Sequence, residues 1–185
     1  MNGKDIKTIV KTALSLFLIC AISAGILAFV NSVTNPIIAT NNEKNADAAR
    51  LQVLSTAESF EINTTADGKV YYKGISNDKT VGFVFTTSAS GYGGAVEVMT
   101  GIDSDGKVTG ISILTINETP GLGMNAKKDS FTSQYVGNTG PFTVIKNAEP
   151  KENEILAMTS ATITTNAVTG AVNEAKSLFD TVKEG

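Results

Sequence analysis

The feature that most constrains this chain is a long stretch without charge near its N-terminus. Residues 12–42 contain no charged side chain, and Ala13–Val30 is almost wholly apolar. A helix needs about 20 apolar residues to cross the hydrocarbon core of a bilayer. The stretch therefore predicts a membrane-spanning helix over residues 12–33. Asn35-Pro36 should end it, because proline cannot continue a helix and restrains the residue before it.

A cleaved signal peptide is the main alternative, since Ser23-Ala24-Gly25 has the small residues of a cleavage site. The apolar run continues past these residues to Val30, whereas the apolar core of a signal peptide is roughly 7–15 residues long. A retained anchor is therefore favoured, and a buried helix of a soluble protein is the remaining alternative.

Charge predicts the orientation of this anchor in the cell membrane. Lys4, Lys7 and Lys11 precede the apolar run, with only Asp5 against them, so residues 1–11 carry +2 of a net charge of −3. Short basic flanks stay on the cytoplasmic side. The N-terminus is therefore predicted to be cytoplasmic and the main domain extracytoplasmic. The remaining −5 argues against a nucleic-acid partner.

The scarcity of cysteine and histidine excludes several kinds of site. Cys20, inside the predicted membrane helix, is the only cysteine, and the chain has no histidine. Disulfides in the outer domain, cysteine or Ser-His-Asp catalysis, and zinc or haem sites built on histidine are therefore excluded. No catalytic residue and no metal site are predicted. A redox protein of this composition needs a cofactor held by other groups.

The rest of the chain reads as an α+β fold, with central antiparallel strands flanked by helices. Residues 34–60 are predicted to form a stalk or first helix, with helical periodicity over 43–60, and residues 61–185 the extracytoplasmic domain. A short helix is expected at 127–136 and a last helix from about Thr165. The predicted strands are Phe60–Thr64, Val70–Lys73, Thr80–Thr87, Ala95–Ile102, Val108–Ile116 and Phe142–Lys146.

The segment Thr159–Thr165 places several hydroxyls at a junction between a strand and the last helix. A helix N-terminus has unpaired N–H groups and a partial positive charge, and therefore favours an anion. A phosphate on the Thr162 hydroxyl would reach those donors, with Thr164 or Thr165 capping the helix. A threonine-rich capping loop without a ligand is the alternative.

The segment Glu118–Gly123 contains the turn pair Pro120-Gly121. Its glycines also fit the start of a dinucleotide-binding pattern, Gly-x-Gly-x-x-Ala. That pattern requires a βαβ unit and an acidic residue about 20 positions further on. Position 141 is proline and no βαβ pattern surrounds the segment, so a dinucleotide fold is disfavoured.

Taken together, these two segments resemble one family. Thr159, Ala161, Thr162 and Thr164 match the motif Asp-x-x-Ser/Thr-Gly-Ala-Thr with a later Ser or Thr, and Glu-Thr-Pro-Gly-Leu-Gly stands at 118–123. Both are typical of RnfG, the FMN-binding G subunit of the Rnf ion-translocating electron-transport complex. RnfG is related to the C subunit of the sodium-pumping NADH:quinone oxidoreductase. Two positions depart from the pattern. Leu156 stands where Asp is usual and Ser160 where Gly is usual, and a serine fits without strain only where φ is negative.

The resemblance implies a site and a role. FMN would be attached covalently to Thr162 through a phosphoester bond made by a flavin transferase. The residues implied to bind the cofactor are Thr162, Thr159, Ser160, Ala161, Thr164, Glu118, Thr119, Gly121, Leu122, Gly123 and Tyr92. Gly91-Tyr92-Gly93-Gly94 also resembles the family segment that leads into the flavin pocket, although a plain loop with a half-buried tyrosine is the alternative there.

The implied function is electron transport within an Rnf-type translocase that couples ferredoxin:NAD oxidoreduction to ion transport. This chain would be an electron carrier that binds neither substrate, beside other membrane, iron–sulfur and flavin subunits. Two alternatives stay open. One is an anchored scaffold or binding module of the same fold that lacks flavin, which Leu156 and Ser160 favour. The other is a free-standing extracytoplasmic flavin reductase.

Overall fold

The computed structural model describes residues 3–184, and the chain divides into two compact units, Met1–Lys44 and Asn45–Gly185. Residues 1, 2 and 185 lie outside the description, so the predicted N-terminal segment 1–11 is described only from residue 3. Each unit is taken by itself below.

The first helix, α1, runs from Gly3 to Val53 and contains Pro36. The expectation that Asn35-Pro36 ends the helix was wrong. A proline removes one backbone hydrogen bond of the helical ladder, and a helix of 51 residues retains the others. Within residues 3–184, α1 is the one helix long and apolar enough to cross a membrane. The helix predicted over 43–60 extends too far, because α1 ends at Val53 and a strand begins at Ser59.

The second unit is built on a five-stranded antiparallel sheet in which each strand pairs with the next along the chain. The predicted α+β class with central antiparallel strands is therefore confirmed. Short polar turns join successive strands, as expected when neighbours in sequence are neighbours in a sheet. The strands are β1 (Ser59–Thr64), β2 (Val70–Ser76), β3 (Lys79–Ser90), β4 (Ala95–Asp103) and β5 (Val108–Thr115).

Alternation along the strands sends side chains to two buried faces of the sheet. The C-terminal helix α3 (Thr162–Glu184) covers one face, where Val98 packs with Val168 and Val172 in the largest apolar cluster. A buried hydrogen bond from the Thr87 hydroxyl to the Ala171 carbonyl, 2.8 Å long, joins the helix to the sheet. These contacts fix the position of α3 against the sheet.

The end of α1 covers the opposite face, where Ala49, Val53 and Leu54 pack against Val84 and Met99. The helix end lies directly on the sheet backbone. A Cβ atom added to Gly101 would overlap the Val53 carbonyl oxygen, and that same oxygen accepts a hydrogen bond from the Thr109 hydroxyl. Glycine at 101 therefore permits the contact between helix and sheet.

Between β5 and α3 the chain forms short elements. A 3₁₀ turn at Gly123–Lys127, α2 (Asp129–Thr132) and a 3₁₀ turn at Ser133–Tyr135 stand where a single helix over 127–136 was predicted. Two short parallel strands follow, β6 (Thr143–Ile145) and β7 (Glu154–Leu156). The sequence indicates β6, which lies within the predicted strand Phe142–Lys146, but it does not indicate β7.

The Tyr135 side chain is fully buried among these elements. Its ring packs edge-on against Phe131 and Phe142, and its hydroxyl oxygen lies 2.8 Å from the Thr169 hydroxyl oxygen. Burial raises the pKa of the Tyr135 hydroxyl, because the ionised form is poorly solvated there. The tyrosine therefore joins the short elements to α3 as a neutral hydrogen-bonding group.

Antiparallel order places the end of β3, the start of β4 and the end of β5 at the same end of the sheet. Two loops, Gly91–Gly94 and 116–122, leave this end of the sheet, and α3 begins beside them. The three sequence motifs are therefore brought together by sheet topology.

Candidate functional site

The loop before α3 is held in place by Thr165. The backbone N–H and the hydroxyl of Thr165 both donate to the Ala161 carbonyl at 3.0 Å, and the hydroxyl accepts the Met158 N–H at 3.1 Å. The helix begins at Thr162, three residues before the predicted start. Thr164 and Thr165 therefore lie in the first helical turn, where both are buried, and the expectation that one of them caps the helix from outside was wrong.

The start of α3 offers backbone donors beside the Thr162 hydroxyl. Because the helical ladder begins with the bond from Thr165 to Ala161, the N–H groups of Thr162, Ile163 and Thr164 precede it. These N–H groups and the helix dipole favour an anion here. Thr162, the first residue of α3, is half-buried at this helix end.

Ser160 adopts a left-handed backbone conformation, with φ of +60°. The negative φ that a serine would need for an unstrained fit is therefore absent. Left-handed backbone is unfavourable for residues with a Cβ atom, and glycine adopts it at no steric cost. The conformation explains why glycine is the usual residue at this position of the motif.

The 118–123 segment forms a tight turn. The Thr119 carbonyl accepts the Leu122 N–H at 3.1 Å, and Gly121 has φ of +79° behind Pro120. Proline followed by glycine at positive φ is the signature of a type II turn. The Asn125 side-chain amide donates to the Gly121 carbonyl at 2.7 Å and stabilises the turn. The turn thereby exposes Thr119 and Leu122.

Glu118 connects this turn to the Gly91–Gly94 loop. One carboxylate oxygen accepts the Tyr92 N–H at 2.8 Å, while the Tyr92 side chain is 74% exposed. A Cβ atom added to Gly123 would lie 2.7 Å from the Thr164 hydroxyl and 2.8 Å from the Glu118 Cβ. Glycine at 123 therefore allows the turn to lie against the start of α3.

These segments enclose a cleft of about 500 Å³, a size typical of small-molecule sites. It contains nine of the eleven residues predicted from the sequence. Thr159 and Gly121 do not line it, and Ile163, which the sequence reasoning missed, does. Ile163 is apolar and half-exposed within the threonine motif, and no pattern in the sequence distinguishes it. The lining residues are Tyr92, Glu118, Thr119, Leu122, Gly123, Ser160, Ala161, Thr162, Ile163 and Thr164.

A second cleft, of about 550 Å³, adjoins the first, and Ser160 and Thr162 border both. Thr159 and Leu156 line this second cleft, together with Lys146. The position where the motif usually has Asp therefore lies in the second cleft, which Thr162 also borders.

The groups of the first cleft suit a ligand with a phosphate and a flat ring. Glu118 is the one charged side chain among the described residues that line it. A phosphate in this cleft would therefore be bound by hydroxyls and by the first N–H groups of α3, which are neutral donors. The exposed side chains of Tyr92, Leu122 and Ile163 supply apolar surface for a ring system. The residues present therefore fit FMN.

Comparison with known proteins decides the family. The G subunit of the proton-translocating ferredoxin:NAD⁺ oxidoreductase complex of Clostridium ljungdahlii is 37% identical over 175 residues, which cover 94% of this chain and 93% of that protein. The chain belongs to the RnfG family. The G subunit of the Na⁺-translocating complex of Acetobacterium woodii is 38% identical over 188 residues, covering 91% of this chain and 90% of that one.

Two family models match separate parts of the chain. Residues 1–53 match the RnfG N-terminal region and residues 91–177 match the FMN-binding domain. The second range contains the whole first cleft. The resemblance found in the two motifs is therefore confirmed.

Solved structures with the same fold come from a different complex. The chain aligns with Shewanella oneidensis NqrC at a TM-score of 0.56 and 16% identity, covering 71% of this chain and 73% of that one. The C subunit of the Na⁺-translocating NADH-quinone reductase of Parabacteroides distasonis gives 0.52 and 17%, covering 63% of each chain. At these identities the likeness concerns the fold alone.

Proposed function

We propose that this chain is the membrane-anchored, electron-carrying flavoprotein subunit of an Rnf-type complex, with FMN attached to Thr162 by a phosphoester bond. The observation that carries the proposal is the position of Thr162. It is the first residue of α3, and it lines the cleft in which the predicted residues meet. A phosphate on its hydroxyl oxygen lies where the helix end favours an anion.

Attachment requires a donor and a separate enzyme. The Thr162 hydroxyl oxygen bonds to the FMN phosphorus and loses its proton, while the bond from phosphorus to the leaving group of the donor breaks. The donor is a flavin nucleotide in which the FMN phosphate is joined to that leaving group, and a flavin transferase catalyses the exchange. The chain gains the mass of FMN minus one water.

Apolar side chains that line the cleft would hold the ring end of the ligand. Tyr92, Leu122 and Ile163 come from three separate segments, and each exposes apolar surface beside the cleft. An aromatic side chain packs favourably on another ring in an offset or edge-on arrangement. The type II turn at 119–122 presents Thr119 and Leu122 to the same cleft.

Bound FMN supplies the electron transfer, and the protein supplies its position and its electrostatic environment. The relatives are named as subunits of ferredoxin:NAD⁺ oxidoreductase complexes. In such a complex this chain passes electrons between neighbouring carriers and binds neither ferredoxin nor NAD. Its partners are the other membrane, iron–sulfur and flavin subunits of the complex. A covalent bond prevents loss of FMN from a domain outside the cytoplasm.

The first test is the intact mass of the full chain purified from its native membrane. We expect a gain of FMN minus water in the wild type, and no gain in Thr162→Ala. Thr181→Ala is the matched control, because it removes an exposed threonine hydroxyl near the other end of α3, outside both clefts, and should leave the mass gain unchanged. An unmodified wild-type mass, from a host that flavinylates related proteins, would favour the scaffold alternative, for which Leu156 and Ser160 give the reason.

A second test distinguishes a complex subunit from a free-standing flavin reductase. Affinity purification of the loaded full chain under mild detergent should recover the other Rnf-type subunits. Recovery of a flavin-loaded chain alone, with reductase activity toward an external acceptor, would support the reductase.

The membrane orientation is tested with thiol labelling. Cys20 is the only cysteine, so Cys20→Ser gives a background without thiols. On that background, Lys151→Cys lies at an exposed position and should react with a membrane-impermeant maleimide in intact cells. Asn2→Cys should react only after the cells are opened. The reverse pattern would contradict the proposed orientation.

A further inference from the structure

The backbone around Tyr92 is held at two successive points by one short segment. The Glu118 carboxylate accepts the Tyr92 N–H at 2.8 Å, and the Asn117 side-chain amide donates to the Gly93 carbonyl at 3.2 Å. The Tyr92 side chain nevertheless remains 74% exposed. An exposed aromatic residue on a tightly bonded loop is unusual, because most exposed loop tips are weakly held.

Close packing reinforces these two hydrogen bonds. A Cβ atom added to Gly93 would overlap the Asn117 carbonyl oxygen, and one added to Gly91 would lie 2.5 Å from the Glu118 carboxylate and 2.8 Å from Val96. The two loops therefore lie in direct backbone contact. The loop has no room to shift toward residues 117–118, and the two hydrogen bonds resist movement away from them.

We propose that Asn117 and Glu118 form a clamp that holds Tyr92 as a fixed aromatic wall of the flavin cleft, and that the Glu118 charge also lowers the reduction potential of the flavin. The proposal rests on the FMN proposed above. Glu118 is a positioning residue, since it acts on the ring through Tyr92 and through its charge. A wall fixed before binding lowers the entropic cost of packing the ring.

The charge has a separate physical effect from the clamp. Glu118 is the one charged side chain among the described residues that line the first cleft. A fixed negative charge beside a group that gains electrons makes that gain less favourable, and the effect is larger where water is partly excluded. Glu118→Gln keeps an oxygen that accepts the Tyr92 N–H but removes the charge, so the two effects are separable.

The clamp is tested first without flavin. Hydrogen exchange is followed by mass spectrometry in the full-length Thr162→Ala chain, in detergent, over the peptide that contains Tyr92. Because hydrogen bonds to charged groups are strong, we expect Glu118→Ala to speed exchange of the Tyr92 amide by about tenfold or more. Glu118→Gln should stay much closer to the Thr162→Ala background, and Asn117→Ala should loosen the same peptide.

Glu97 offers a matched control, because its carboxylate accepts the Thr115 hydroxyl at 3.0 Å and it does not line the cleft. Glu97→Ala should leave exchange at Tyr92 unchanged. Unchanged exchange at Tyr92 in both Glu118→Ala and Asn117→Ala would overturn the clamp. This result is independent of FMN, so it is distinguishable from failure of the proposed function.

The charge is tested in the loaded full chain by redox titration and flavin fluorescence. Glu118→Gln should raise the midpoint potential. It should leave the flavin fluorescence unchanged, because Tyr92 stays beside the ring and quenches it. Glu118→Ala should raise the potential and also increase the fluorescence, because Tyr92 is released. Glu97→Gln should change neither quantity. Equal potentials in the wild type and Glu118→Gln would overturn the electrostatic role.

Discussion

The Thr165 hydroxyl accepts the Met158 N–H at 3.1 Å and thereby fastens the loop before α3 to the first turn of the helix. The same hydroxyl donates to the Ala161 carbonyl. This pair of bonds sets the path of residues 158–161, and both clefts meet at that segment. The buried threonine is therefore a structural support for the proposed attachment site.

Thr165→Val tests this support, because it keeps the shape of the side chain and removes the hydroxyl. The Met158 N–H then loses its acceptor, which costs about 1–3 kcal/mol of unfolding free energy. We expect lower stability in denaturant unfolding and a smaller flavin-loaded fraction by intact mass. Thr165→Ser keeps the hydroxyl and should retain most of both. Equal stability of Thr165→Val and the wild type would contradict the role of this bond.

Ser160→Gly should stabilise the chain. Left-handed backbone costs a residue with a Cβ atom about 1–2 kcal/mol, and the greater flexibility of unfolded glycine offsets part of the gain. A net increase of about 1 kcal/mol in unfolding free energy is expected, measured by denaturant titration of the full chain. Ser160→Ala keeps the Cβ atom and should give no such gain. A stabilisation equal in both variants would show that backbone strain is not the cause.

Gly123→Ala should disrupt the cleft. The added Cβ atom would lie 2.7 Å from the Thr164 hydroxyl and 2.8 Å from the Glu118 Cβ. Overpacking of this kind costs about 1–3 kcal/mol, and we expect a loss of loaded protein as the turn moves away from α3. Gly170→Ala is the control, because its Cβ atom meets nothing within 4 Å and alanine favours a helix. It should be neutral or stabilising, with normal loading.

Leu156→Asp should speed attachment of FMN. Leu156 ends β7, is 39% exposed, and lines the second cleft beside Thr162, at the position where the motif usually has Asp. A carboxylate there restores the usual motif on the surface presented to the flavin transferase. We expect a higher initial rate of mass gain with limiting enzyme. Leu156→Asn is the matched uncharged control. Equal rates in all three proteins would contradict a role for residue 156 in attachment.

Most of the fold could be predicted from the sequence, because it depends on local patterns, whereas the candidate site residues were implied by the resemblance of the motifs to a family. Alternation and turn residues indicated the five strands, whose bounds differ from the observed ones by a few residues. The motifs supplied nine of the ten residues that line the first cleft. The exception, Ile163, is brought to the cleft only by the early start of α3.

The features that were missed depend on tertiary contacts. The bonds from Thr165 to residues 158 and 161 start α3 at Thr162, and local propensity does not contain them. The positive φ of Ser160 follows from the same fixed path. Pro36 predicts a helix end because of its local effect on the backbone, whereas the observed helix continues through it to Val53.

The packing of Val53 and Leu54 against the sheet has a practical consequence for any soluble version of this protein. Truncation at residue 61, the start of the predicted outer domain, would remove these side chains and the beginning of β1. It would also uncover the apolar sheet face that they cover, and such patches favour aggregation. A soluble fragment should therefore begin near Asn45, where the second compact unit starts, so that it retains the last turns of α1.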